Sequence, residues 1–273
     1  MQLMGRWRRF AAAGRPRPQT GKTERTKLFV VLTRGRTGST PLVADINQHQ
    51  DVVCHQEMFR AEPAVSPFDL AASYEAAVAQ HGQLGAREYL DRLTRSAGDG
   101  QMVGLKVLDN QLNERAGIDL RGHLLRTRTP IVLIDRHPAR AALSAAIATA
   151  RGAYNLHVDT QNPEYRKRLK TRVTVDPDFA VQEARYYAHW AAELRRDLQR
   201  SRARYIEIFY EDYTSRRLEE VNRIFDFLGI SRAERLGDNP YSRVTSQNVW
   251  DDVVNSDEVS RAFRSAGMEL PTD

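Results

Sequence analysis

The most constraining feature of this sequence is a short apolar run that leads directly into a glycine-containing loop. Residues 28–32 read LFVVL and are followed at once by Thr-Arg-Gly-Arg-Thr-Gly-Ser-Thr. An uninterrupted apolar run of this length is typical of a strand that is buried on both faces, as in a parallel sheet. The sequence therefore predicts a buried strand, a tight loop and a helix over about 39–47.

Further strands and helices alternate along the chain. Apolar runs predict strands at 52–54, 102–108, 131–134 and 205–210. Helical spacing predicts helices at 138–150, 179–202 and 218–228, and two helices within 70–93 that are broken near 82–85. This alternation predicts an α/β fold, a P-loop-containing and mainly parallel sheet flanked by helices. Ligands of such sheets bind beyond the carboxyl ends of the strands, which directs attention to the loops after Leu32 and Ile134.

Positive charge is concentrated at the start of the chain. The formal net charge is +6, yet the residues before Leu28 hold eight Lys and Arg and one acid, so the remainder carries −1. We interpret 1–26 as a basic, disordered arm, with peripheral contact to acidic lipid or binding to RNA as its functional alternatives. Residues 27–273 are predicted to form one domain, with a flap-like insertion near 154–178.

Composition excludes several classes of protein. The sequence contains no run of about 18 apolar residues, so a membrane-spanning helix is not expected. Cys54 is the only cysteine, which excludes an intramolecular disulfide and leaves too few ligands for a cysteine-built zinc site. A reducing, cytoplasmic location is expected, and no metal is expected.

The loop after the first strand has the chemistry of an oxyanion site. Two glycines permit backbone angles that let successive N–H groups converge on an anion, and the following helix adds its positive end. A triphosphate loop would place a lysine between the second glycine and the hydroxyl residue. That lysine is missing, which favours a donor with a single 5′-phosphate. The candidate binding residues are Arg34, Gly35, Arg36, Thr37, Gly38, Ser39 and Thr40.

A second candidate anchor follows the strand over 131–134. Arg136 stands at the strand end and Ser144 lies about two helical turns further on, so both could reach one anion. Between residues 115 and 172 the sequence has twelve Lys and Arg against four acids. This positive sector is suited to an anionic cofactor.

These two motifs resemble those of sulfotransferases that use 3′-phosphoadenosine 5′-phosphosulfate (PAPS), most closely in style the bacterial carbohydrate and lipid enzymes of the trehalose and nodulation-factor groups. The resemblance covers about residues 27–250. It implies a sulfotransferase-like fold, with residues 36–40 on the 5′-phosphosulfate and Arg136 with Ser144 on the 3′-phosphate. Adenosine 3′,5′-bisphosphate (PAP) is the implied product. A C-terminal loop with Arg243, Thr245 and Ser246 is an expected third part of the site.

Sulfuryl transfer to a hydroxyl requires a general base. Glu57 resembles the base of the bacterial carbohydrate enzymes in its placement, and His55 is the rival base. Lys106 is predicted to face the cleft. Arg36 is predicted to neutralise the charge on the leaving phosphate. The predicted acceptor is a hydroxyl of a carbohydrate, glycolipid or related small molecule. Tyr154, His157 and the basic run over 165–170 are candidates to line its site. The alternatives are a kinase-like phosphotransferase and a non-enzymatic protein that binds RNA or acidic membrane through its arm. A nucleic-acid partner is not part of the leading prediction, and a homodimer is left open.

Overall fold

A five-stranded parallel sheet forms the centre of the molecule. The computed structural model describes residues 28–59, 85–96, 101–112, 119–154, 156–157 and 162–270. The strand order is β2-β3-β1-β4-β6, and each neighbouring pair is parallel. The short strands β5 and β7 pair antiparallel beside it. The strands are β1 (Leu28–Thr33), β2 (Val52–His55), β3 (Met102–Leu108), β4 (Ile131–Asp135), β5 (Leu156–His157), β6 (Tyr205–Phe209) and β7 (Tyr241–Ser242).

Helices alternate with these strands along the chain. A 3₁₀ helix, Val249–Asp252, lies near the C-terminal end. The α-helices are α1 (Ser39–Ile46), α2 (Ala86–Ser96), α3 (Asp109–Leu112), α4 (Leu120–Thr127), α5 (Pro138–Arg151), α6 (Pro163–Leu169), α7 (Pro177–Arg200), α8 (Tyr210–Ser215), α9 (Arg217–Leu228) and α10 (Ser256–Ser265). The predicted α/β class, a mainly parallel sheet flanked by helices, is confirmed by this arrangement.

The apolar run of β1 is buried because both faces of the sheet are covered. Successive side chains of a strand point to opposite faces, so Val30 and Leu32 enter one core cluster while Val31 enters the other. The first cluster also contains side chains of α2, α4 and α7, and the second contains those of α1 and α9. All six residues of β1 are buried, which explains why the run is apolar without alternation.

Helix α7 differs slightly from the predicted range of 179–202. Asp176 caps its first turn by accepting from the backbone N–H of Asp178 and Phe179, and Pro177 occupies the first helical position. The helix ends at Arg200 because Arg202 adopts a left-handed conformation with φ of 51°. Both ends are therefore two residues earlier than the hydrophobic spacing indicates.

Two predicted regions lie partly or wholly outside the described residues. The basic arm over 1–26 lies outside them, as do residues 70–84 of the region over 70–93 where two helices are predicted. The described part of that region forms α2, which runs three residues beyond the predicted end at 93. Within 154–178, the structure describes the helix α6 and the start of α7.

Candidate active site

The topology places two loops side by side at the carboxyl edge of the sheet. From β1 the chain moves to the β2 side of the sheet, whereas from β4 it moves to the opposite side, toward β6. Neighbouring strands whose connections diverge in this way leave a crevice between their carboxyl ends, which is where open parallel sheets bind ligands. The loop over 34–38 and the loop over 136–137 meet at this point.

The loop after β1 contains two residues in the left-handed region. Gly38 has φ of 80°, as expected for a glycine in this position, and it lies close to the ring of Tyr210. The second left-handed residue is Arg36, with φ of 70°. The expectation that Gly35 supplies an unusual backbone angle is wrong, because Gly35 is not among the residues with positive φ. A strained non-glycine residue of this kind is characteristic of functional loops.

Helix α1 begins at this loop with its first N–H groups available. Gly38 is the N-cap residue, no side chain caps the helix, and no acidic residue lies in the first turn. The unpaired N–H groups of a helix start carry partial positive charge. Ser39 and Thr40 add hydroxyl groups at the same place. This end of α1 therefore offers hydrogen-bond donors to an anion. Its first turn has no acidic side chain that would compete with the anion for these donors.

Three residues of the loop hold its shape. The Thr37 hydroxyl is fully buried and donates to the carbonyl of Arg34 at 3.0 Å. The Arg34 guanidinium binds Glu183 at 3.0 Å and lies over the rings of Tyr186 and Tyr187, at 3.6 and 4.0 Å from their centroids. The Tyr187 hydroxyl donates to the carbonyl of Gly35. Arg34, Gly35 and Thr37 thus contact other parts of the protein.

Arg36, Arg136 and Ser144 come together although 108 positions separate the first from the last. The Arg36 guanidinium lies 3.3 Å from the Ser144 hydroxyl oxygen through both Nε and Nη2, and it also donates to the carbonyl of Tyr154. Arg136 donates from Nη1 to the carbonyl of Arg36 at 2.9 Å and lies 4.1 Å from the ring centroid of Tyr210. The two predicted anchors therefore form one cluster.

This cluster lines a cavity of about 280 Å³. The cavity also has side chains of the C-terminal loop in its wall, including Arg243 and Thr245. Ser246 instead donates from its backbone and its hydroxyl to the carboxylate of Asp252, at 2.6 and 3.0 Å. The lining residues are Arg36, Gly38, Ser39, Thr40, Pro41, Arg136, Ser144, Tyr154, Tyr210, Tyr213, Thr214, Arg217, Asn239, Tyr241, Ser242, Arg243, Val244 and Thr245.

The two arginines are poorly solvated. Only 6% of Arg136 is exposed, and its buried Nε has no hydrogen-bond partner among the described residues. Burial lowers the pKa of Arg136 to about 10 and also lowers the pKa of Arg36. Both stay protonated at neutral pH, so two cations face one cavity with incomplete solvation. A bound phosphate or sulfate would supply the missing partners.

The candidate base is linked to the phosphate loop through a buried lysine. Lys106 on β3 forms an ion pair with Glu57 at 2.9 Å, and its ammonium donates to the Thr40 hydroxyl at 3.0 Å. The side chain of Lys106 is 3% exposed and that of Glu57 is 17% exposed. His55, at the end of β2, is 1% exposed. Glu57 is therefore the more accessible of the two candidate bases.

Sequence reasoning missed one polar network in the cavity wall. The buried carboxylate of Asp45 accepts from Tyr213 at 2.6 Å, from Arg217 through two bonds of 2.5 Å, and from Asn239 at 2.5 Å. Burial and the Asp45 charge raise the pKa of Tyr213 far above its usual value. Arg217 and Asn239 line the cavity. No short-range signal joins Asp45 to Arg217, because 172 positions separate them.

Neither a cluster of metal ligands nor a membrane-spanning helix is found in the part of the chain that the structure describes. In that part of the chain, no group of three or more His, Cys, Asp or Glu side chains is placed to hold a metal ion. Among the helices that the structure describes, none combines the length and the apolar character that crossing a membrane requires.

Comparison with known proteins finds similar structures but no similar sequences. No protein-family model and no curated protein matches the sequence. A sulfotransferase from Alicyclobacillus acidocaldarius is 16% identical, with a TM-score of 0.47 over 89% of this chain and 96% of that one. The sulfotransferase domain of the Synechococcus PCC 7002 olefin synthase is 15% identical, with a TM-score of 0.42 over 94% of each chain. The mouse sulfotransferase SULT7A1, complexed with PAP, is 14% identical, with a TM-score of 0.35 over 90% of this chain and 67% of that one. All three of these solved structures carry the name sulfotransferase.

Proposed function

We propose that this protein transfers a sulfuryl group from PAPS to the hydroxyl of a small-molecule acceptor. The observation that carries the proposal is the convergence of Arg36, Arg136 and Ser144 in one cavity beside the uncapped start of α1. Arg36 and Arg136 come from two separate loops and Ser144 from helix α5, and the two guanidinium groups can form charge-assisted hydrogen bonds to an anionic ligand. The incomplete hydrogen bonding of buried Arg136 favours an anionic occupant.

The cavity suits a nucleotide with separated monophosphates. The N–H groups at the start of α1, with the Ser39 and Thr40 hydroxyls, would hold the 5′-phosphosulfate, and Arg136 with Ser144 would hold the 3′-phosphate. PAPS supplies the sulfuryl group and leaves as PAP. Arg36 would neutralise the charge that develops on the leaving phosphate oxygen, which lowers the barrier because the guanidinium is already in place.

Glu57 is the proposed general base. Its carboxylate would accept the proton of the acceptor hydroxyl as the oxygen attacks sulfur. The Lys106 ammonium holds Glu57 on one side and Thr40 on the other, so it couples the position of the base to that of the phosphate loop. His55 is the alternative base, although its 1% exposure limits access to an acceptor.

The acceptor class belongs to this proposal as well. A carbohydrate, a glycolipid or a related hydroxyl compound is supported by the placement of Glu57, which resembles that of the base in bacterial carbohydrate sulfotransferases. The single cysteine, which is buried, supports a cytoplasmic location. A role of the basic arm in peripheral membrane contact remains part of the same hypothesis.

The proposal is tested by incubating the enzyme with PAPS and a panel of sugars and glycolipids, and by measuring PAP release and sulfated product by mass spectrometry. We expect Glu57→Gln to bind PAP as the wild type does and to lower turnover by roughly 10² to 10⁴. His55→Gln is the matched control and should retain most of the turnover. A Glu57→Gln enzyme with unchanged turnover would show that Glu57 is not the base. Phosphorylation of an acceptor with ATP and Mg²⁺, without sulfation from PAPS, would overturn the reaction itself.

A further inference from the structure

A basic surface lies beside the mouth of the nucleotide cavity. Helix α6 and the residues after it carry five cations over 163–172 against the single acid Glu164. All five are exposed, and three of them, Arg166, Lys167 and Lys170, are called the basic surface below. The helix is well defined locally, since the Asn162 side chain accepts from the N–H of Tyr165 and a proline occupies its first position.

One contact of this helix places it next to the cavity wall. Arg168 lies 5.4 Å from the Tyr165 ring centroid and packs near Gly152, two residues before cavity-lining Tyr154. The position of the basic surface is thus tied to the chain segment that forms the cavity wall.

One buried arginine joins the basic segment to the C-terminal loop. Arg151, 4% exposed, donates to the carbonyl of Thr171 at 2.8 Å and to the carbonyl of Val244 at 2.9 Å. The same guanidinium forms an ion pair with Asp252 at 2.6 Å. Thr171 directly follows the basic surface, and Val244 lines the cavity. The hydrogen bonds of buried Arg151 therefore hold the segment after the basic surface next to the cavity wall.

The two lysines of the basic surface are available to act at a distance. Neither Lys167 nor Lys170 forms an ion pair with a residue that the structure describes. The chain from Leu28 onward carries a formal charge of −1, so its overall field does not attract an anion. A local group of cations beside the site can still steer an anionic ligand and raise its association rate by roughly 10 to 10³.

We propose that the basic surface captures the anionic nucleotide and guides it into the cavity. This inference rests on the proposed function, because it takes a polyanionic nucleotide as the ligand. The role is in association: Arg166, Lys167 and Lys170 act through their long-range field, while the Arg36 and Arg136 cluster holds the bound nucleotide. The surface therefore determines how fast the complex forms, and the cavity determines how long it lasts.

The experiment compares two triple variants that remove the same charge. The test variant is Arg166→Gln, Lys167→Gln, Lys170→Gln, which keeps helix propensity and length similar. The control variant is Arg196→Gln, Arg200→Gln, Arg202→Gln. These exposed residues lie near the start of β4, since the neighbouring Arg204 carbonyl accepts from the N–H of Ile131. That is the edge of the sheet opposite the cavity.

Association and dissociation of a fluorescently labelled PAP are followed by stopped flow at about 0.01 M and about 1 M ionic strength, where the Debye lengths are about 30 and 3 Å. At low salt we expect the test variant to associate roughly tenfold more slowly, with dissociation unchanged, and the control to behave as the wild type. At high salt the difference should disappear. If the test variant folds poorly, Lys167→Gln and Lys170→Gln are measured singly, and each should still slow association at low salt.

Three results would overturn the inference. Equal slowing in both triple variants would assign the effect to net charge. Faster dissociation without slower association would assign the residues to direct contact. A salt-independent association rate in the wild type would exclude steering. Failure of the wild type to bind PAP at all would instead refute the proposed function, and the inference with it.

Discussion

Substitution of Gly38 by alanine tests the geometry of the phosphate loop. The residue has φ of 80°, a conformation that costs an L-residue with a side chain about 1–2 kcal/mol. A Cβ atom there would also lie 2.3 Å from Cδ2 of Tyr210. The ring would have to move, and overpacking of this kind costs about 1–3 kcal/mol. Together these effects predict a loss of about 2–5 kcal/mol in the free energy of unfolding.

The displacement should also reach the ligand site. The Tyr210 ring lies 4.1 Å from the Arg136 guanidinium, so a shift of the ring removes the surface on which that cation rests. We therefore expect Gly38→Ala to weaken PAP binding by at least about tenfold, the equivalent of 1.4 kcal/mol. Urea unfolding measures the first effect, and calorimetric titration with PAP measures the second.

The same loop provides a matched control. Gly35 has an ordinary backbone conformation, and a Cβ atom at this position would meet no heavy atom within 4 Å. Gly35→Ala should change the free energy of unfolding by no more than about 1 kcal/mol, with stabilisation as the expected sign, and leave PAP binding intact. Equal effects of the two alanine variants on stability and on binding would refute this account of the loop.

Two further substitutions test the charges around the cavity. Arg136→Met removes a buried cation that lacks a full set of hydrogen bonds. PAP affinity should therefore fall at least about tenfold, while the unfolding free energy of the free protein falls by less than about 1 kcal/mol. A large loss of stability without loss of affinity would contradict the assignment of Arg136 to anion binding. Arg151→Met leaves the carboxylate of Asp252 buried without its ion pair and should cost about 3–5 kcal/mol in unfolding free energy, measured by urea denaturation, with partial rescue by Asp252→Asn. Absence of rescue would show that the buried charge is not the cause.

Much of the sheet can be predicted from the sequence because buried strands are apolar on both faces. Residues 102–108 are bounded correctly, and β1, β2, β4 and β6 agree with their predicted ranges to within one residue. The helix spacing is informative because the predicted helices each bury one face in a core cluster. Short elements are harder: α6 is a helix of seven residues in a segment that has no clean apolar period.

The site is predictable to the extent that its residues are near one another in sequence. Arg36 and Gly38 belong to one loop, and Arg136 and Ser144 lie on one strand end and the helix after it, so local patterns find both groups. The partners of individual side chains are set by the packed fold. Arg34, a candidate ligand by sequence, binds Glu183 from 149 positions away. Local periodicity carries no information about such pairs.

The conformation and partners of single loop residues also depend on the packed fold and not on the local sequence. The positive φ of Arg36 cannot be predicted from the sequence, because sequence patterns assign positive φ to glycine. At Arg36 the surrounding structure imposes this backbone angle. Ser246 is polar and lies in the expected loop, yet its hydroxyl is bound to Asp252. Sequence reasoning considered Glu57 and Lys106 separately, whereas the pairing of β2 with β3 brings them into contact.

Calorimetric titration of the full chain with PAP and, separately, with ATP and Mg²⁺ tests the central claim most directly. The account predicts one PAP bound per chain, with higher affinity than ATP, and loss of that preference in Arg136→Met. Tighter binding of ATP with Mg²⁺, or PAP binding that does not depend on Arg136, would contradict it.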